Sequence, residues 1–246
     1  MAALCIIAGI LLIGSASHDV FHTLFHPAGR GAMSDYAARM VWKAFRPLAR
    51  RNYQSITLAG PVAIIAIMAM WIVLVVFGFA LIYLPYIQSR YVFASGIPDH
   101  PRNIVDALNV SLGALITLVG DMNATTRTLR LIEGIEAVTG FGLLTANVSW
   151  LLSLYPVLEK RHTLGHEINL LHQAEMETGI NVLDLPATEG QQVLWGLVGE
   201  VAELRNDLIQ FPISYYFHGG DDQSGLSGGL PYLADIAEAA SRPQAP

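Results

Sequence analysis

The chain has a single cysteine, Cys5, so an internal disulfide framework is excluded. Charge is also scarce. Only 14% of the 246 residues are Asp, Glu, Lys or Arg, against roughly 25% in an ordinary soluble domain. That shortage argues against a wholly soluble protein, and with 53% hydrophobic residues it excludes a disordered one. Fourteen basic side chains against twenty acidic ones leave a net charge of -6, which speaks against a nucleic-acid partner. No phosphate-binding loop and no dinucleotide fingerprint is present. No cofactor and no enzyme activity are expected, with a histidine-metal membrane enzyme as a third, weaker reading. No span carries an arginine at every third position, which excludes a voltage sensor of that kind.

What the chain has instead is long apolar sequence. Met1 to Ser17 carries no charge, Asn52 to Ser89 is 38 residues without one, and Ala137 to Leu158 adds 22 more. About 20 apolar helical residues cross a bilayer core. Three spans are therefore expected, near residues 1–20, 56–87 and 129–157. The middle one is apolar on every side, which reads as a lipid-facing helix. Trp42, Tyr53, Tyr83 and Tyr86 stand near its ends, where aromatic belts form. The first run is short and lacks a basic leader. It reads as a span continued by the helical segment SHDVFHTLF rather than as a signal peptide.

The flanking charges set an orientation. Lys43, Arg46, Arg50 and Arg51 precede the middle span, and Lys160 and Arg161 follow the last one. Lys and Arg gather on the cytoplasmic side. Residues 18–55 and those beyond about 158 are therefore expected inside, in a multi-pass protein of the plasma (inner) membrane with a cytoplasmic C-terminus. Residues 88–128 then face outside. The fold class is an all-α membrane protein in three parts: 1–55, a span and linker helix; 56–158, a pore module; 159–246, a cytoplasmic helical region.

Between the last two spans lies a polar loop, Arg90 to Arg102. A weakly apolar helix follows near 104–116, capped by Asn103 or Asp106, and it is too short to span. Thr117-Leu118-Val119-Gly120-Asp121 comes next, then a polar turn. A half-helix that enters and returns as non-helical backbone is tolerated in a bilayer only where it is buried in protein or lines water.

These residues resemble the pore module of the two-transmembrane potassium channel family. Asp106, Ala107, Leu108, Ser111, Thr117, Gly120 and Asp121 match the pattern DALYxSxxTxTTxGxGD. The flanks HDVFHTLFHP and TGFG, and the tail Asp221-Asp222-Gln223-Ser224, are similar to a bacterial branch of that family. The resemblance implies a homotetramer in membrane lipid that passes monovalent cations, K+ and, where selectivity is relaxed, Na+. It assigns the filter to Thr117, Leu118, Val119, Gly120 and Asp121, and the inner-helix hinge to Gly140. The family filter, TxGxGD, stacks carbonyls that replace the ion's water shell. Here one glycine is missing, and a residue that must reach left-handed backbone angles is not glycine, at roughly 1–2 kcal/mol. Weak or altered selectivity is the expectation, with a non-conducting scaffold or sensor as the alternative.

Other polar residues are weighed beside this. Glu133 and Glu136 share a face of the last span; Glu136 either braces the short helix or attracts cations. Asn147 lies seven residues beyond Gly140, so both are expected to face the pore axis. Arg127 and Arg130 oppose cations unless Glu133 neutralises them. His18, His22 and His26 recur every fourth residue, a stripe that reads mainly as a polar helix face. Metal binding there, completed by Asp19 or another subunit, and pH sensing are lesser alternatives.

Overall fold

A computed structural model describes residues 1–24, 31–49, 57–94, 101–118, 120–217 and 226–241. The described chain is mainly helical. It forms two compact units, one of residues 1–40 and 64–151, the other of residues 41–63 and 152–246. This division differs from the three parts read from the sequence, because residues 41–63 group with the C-terminal region.

Three helices are long and apolar enough to cross a membrane: α1 (Ala2–Leu24), α3 (Ala59–Tyr83) and α6 (Arg127–Thr178). Helix α2 (Ala32–Ala49) lies between the first two. After α3 the chain makes a one-turn helix, α4 (Ile87–Arg90), and a short strand, β1 (Tyr91–Phe93). Helix α5 (Ile104–Leu115) and strand β2 (Met122–Ala124) precede α6. The strands pair antiparallel, Tyr91 opposite Ala124 and Phe93 opposite Met122. Backbone bonds extend this ribbon at both ends, from Ala94 N to Asp121 O at 2.8 Å and from Thr125 N to Arg90 O at 2.8 Å. The segment read as a polar loop thus begins as a strand.

The first unit is built around α3, whose apolar surface packs inside the protein more than that of the other two spans. One part of its surface is exposed, as at Ile65 and Val73, and the other packs inside. Trp71, Val75, Phe79 and Tyr83 are all buried. A helix apolar all round suits a protein interior as well as lipid. Val76, Phe79, Tyr83 and Tyr91 share a core with Val110 and Leu115 of α5, Met122 of β2 and Leu129 of α6. Helix α1 meets α3 at two glycines. A Cβ on Gly9 would collide with the Gly78 carbonyl oxygen, and one on Gly78 would stand 2.6 Å from Ile13 Cγ1. Small residues let spanning backbones approach where lipid supplies no hydrophobic drive between them.

Helix α6 is continuous for 52 residues and contains Pro156. The sequence suggests a separate tail helix from about Glu159, but no break falls there. In the second unit, α7 (Ala187–Gln210) and α8 (Leu226–Ser241) pack with the far end of α6. Leu164, Ile168, Leu197, Leu204, Tyr232 and Ile236 make that core. A short 3-10 turn, Val182–Asp184, capped by Asn181, separates α6 from α7. Lys160 Nζ pairs with Asp207 at 3.1 Å and Glu203 at 3.3 Å. Arg161 donates to the Ser214 and Phe217 carbonyls at 3.0 and 2.7 Å.

Replacing Gly78 by leucine should separate α1 from α3. Overpacking of this kind costs about 1–3 kcal/mol. The expected result is a lowered melting temperature in detergent, while Gly14→Leu, where a Cβ meets nothing within 4 Å, leaves it unchanged.

Candidate functional site

Helix α5 is fixed at both ends by its own sequence. Asn103 Oδ1 accepts from Val105 N, and Asp106 Oδ2 accepts from Asn103 N, each at 2.7 Å. This reciprocal box satisfies donors that a helix start leaves open. At the other end Leu118 N donates to Gly113 O at 2.8 Å and Thr117 N to Ala114 O at 3.1 Å. That is a Schellman turn, which needs its pivot residue in the left-handed region. The pivot is Thr117, at φ 56°. A β-branched side chain is disfavoured there. Gly120 does not adopt positive φ. Among the described residues the non-glycine residue in left-handed backbone is therefore Thr117, the first of the stretch 117–121. Val119 lies outside the described residues. Thr117, Leu118 and Asp121 are exposed and Gly120 is half-buried.

Behind α5 stands Glu136, fully buried on α6. Its carboxylate accepts from the hydroxyl of Ser111 on α5 and, at 2.7 Å, from that of Tyr83 on α3. Ser111 Oγ is also 2.9 Å from Val76 O on α3. One side chain thus ties together two spans and the short helix. An isolated carboxylate is costly in such surroundings and persists when hydrogen-bonded. Glu133, one turn earlier, is half-buried. Arg130 donates from Nε to Ala124 O at 2.9 Å, which fixes its side chain against the ribbon.

Gly140 and Asn147 require correction. A Cβ on Gly140 would collide with the Leu115 carbonyl oxygen at the end of α5. Asn147 is 6% exposed, and its Oδ1 has no hydrogen-bond partner among the described residues. Both lie on the face of α6 that carries Glu136, Leu143 and Trp150 inside the unit. Their spacing of seven puts them together, as read, but on the inner face. The outward face presents Leu131, Val138, Thr145 and Ser149.

The histidine stripe is partly described. The His18 and His22 rings lie 4.2 Å apart between centroids. His26 lies outside the described residues, as do Asp221, Asp222, Gln223 and Ser224. Among the described residues no group of three or more His, Cys, Asp or Glu side chains is placed to hold a metal. Asp19 is engaged elsewhere. Buried at 3% exposure, it accepts from Met33 N at 2.9 Å, Ser34 N at 3.1 Å, the Ser34 hydroxyl and Trp71 Nε1 at 2.9 Å. It serves as the anion at the start of α2, where open N–H groups favour negative charge. Sequence reasoning set Asp19 beside the histidines; its partners on α2 and α3 carried no local signal.

The chain is similar to the uncharacterized membrane protein YdjJ of Bacillus subtilis (strain 168), at 24% identity over 228 residues. The match covers 89% of this chain and 64% of that protein. The chain thus spans less than two thirds of its relative's length. No family model matches. No solved structure matches. With three apolar spans and this relative, the chain is a mostly helical membrane protein.

Glu136→Ala should strand the Tyr83 hydroxyl in an apolar interior, while Ser111 keeps the Val76 carbonyl. A buried unsatisfied group costs roughly 1–3 kcal/mol, and that is the expected loss. Glu136→Gln, which retains an acceptor oxygen, should lose less. Thermal unfolding of both variants in detergent checks the order.

Proposed function

We propose that the chain is one subunit of a pore-loop cation channel of potassium-channel type, assembled as a homotetramer in the inner membrane. The observation that supports this most is α5. It is a capped helix of 12 residues, too short to span, and it opens at Thr117 into non-helical backbone beside two spans. One chain supplies one such loop, and a ring of carbonyls needs several. Asp121 at the outer mouth raises the local cation concentration. Positive charge at Lys43, Arg46, Lys160 and Arg161 sets the C-terminal region in the cytoplasm. Membrane lipid surrounds the spans. The permeant ions are K+ and Na+, with poor discrimination, because the filter segment has Gly120 alone between Thr117 and Met122.

One observation favours a second reading, a non-conducting membrane scaffold or sensor that acts through its cytoplasmic helices. The Thr117 turn closes the end of α5 with its own backbone N–H groups. A ladder of carbonyls facing an ion begins instead with extended chain.

Ion flux into proteoliposomes separates the two. The channel reading expects cation flux that ceases on Thr117–Gly120 deletion, and a reversal potential little changed when K+ replaces Na+. A glycine inserted after Leu118 should shift that potential toward potassium selectivity. Strong potassium selectivity in the unmodified chain, or a monomer or dimer in lipid, overturns the reading.

Orientation has its own test, made in a Cys5→Ser background. A cysteine at Val92 should react with an impermeant maleimide from outside. One at Glu177 should react only after permeabilisation.

A further inference from the structure

The first unit contains a groove of about 290 Å³ between α1, α3 and α6. Ala16, Ser17 and Phe21 line it from α1, Val75 from α3, and Gly142 and Ala146 from α6. All three walls are helices of membrane-spanning length and composition. The space exists because the facing positions are small: Ala16, Ser17, Gly142 and Ala146 leave room where larger side chains would close the contact. Its lining holds no ionisable group. The hydroxyl of Thr139 at its margin is satisfied by the Ile135 carbonyl at 2.8 Å.

We propose that this groove is a binding site for one acyl chain of a membrane lipid. Three points on the molecule select that occupant. A groove in a spanning region faces hydrocarbon, not water, and its lining offers water little beyond the Ser17 hydroxyl, since that of Thr139 is bound to the Ile135 carbonyl. A void without partner atoms forfeits dispersion contacts along its walls, so filling it is favourable. A helix with side chains is roughly 10–12 Å across; a groove of about 290 Å³ holds an extended chain, not a helix of a second copy. The site includes α1, so it is separate from the filter segment, and it stands whether or not the protein conducts.

The test uses the full chain in phosphatidylcholine bilayers that contain a fraction of lipid with a diazirine on its acyl chain. After irradiation, labelled residues are mapped by mass spectrometry. Val75, buried in the groove, should be labelled along with the outward Ile7 and Ile65, which are 58% and 65% exposed. Ala146→Leu fills the groove and should cut labelling at Val75 several-fold, with Ile7 and Ile65 unchanged. Ala146→Ser, which adds little volume, should keep full labelling and shows the effect of space alone. Gly142→Ala should give an intermediate loss if Ala146→Leu fails to fold. The proposal is overturned if Val75 is unlabelled while Ile7 is labelled. It is also overturned if labelling of Val75 survives both filling variants; a second copy seated on the groove would leave Val75 unlabelled.

Discussion

The carboxylate of Glu136 holds the first unit in register. It sits on α6 and accepts from Ser111 on α5 and Tyr83 on α3. Each of these elements is apolar and free to slide against its neighbours, since lipid and protein interior offer apolar surface similar surroundings. A hydrogen-bonded carboxylate is directional and cannot be satisfied by sliding. That side chain, together with the packing of Val110 and Leu115, fixes α5 against the spans. Gly140 lies one turn further along α6 and admits the Leu115 carbonyl, so the same helix both bonds and makes room for α5.

Asp19 has the same role at a second point. Its four donors come from α2 and α3. Among the described residues both buried carboxylates are thus occupied in joining elements. This accounts for their presence in a chain so poor in charge, without assigning them to a ligand.

The spans were legible because runs of 38 and 22 uncharged residues have few other uses. The start of α5 was legible too, since Asn103 and Asp106 stand at capping-box spacing. Other features were not. Tyr91–Phe93 and Met122–Ala124 are three residues each, too short to show a period of two. The partners of Asp19 and Glu136 lie up to 53 residues away. Periodicity placed Gly140 and Asn147 on one face but carried no information on which way that face turns. The left-handed Thr117 was hidden because a β-branched residue seldom occupies that region. The charges from Glu159 onward mark the end of the apolar run but not of the helix, and α6 continues through Pro156.

That continuity has a mechanical consequence. At 1.5 Å per residue, 52 residues extend roughly 78 Å, more than twice a hydrocarbon core of about 30 Å. Less than half of the helix can therefore lie within such a core. Pro156 lacks the N–H that would close the helical bond to Leu152, so the Leu152 carbonyl loses its helical partner and bending stiffness is lowest near that turn.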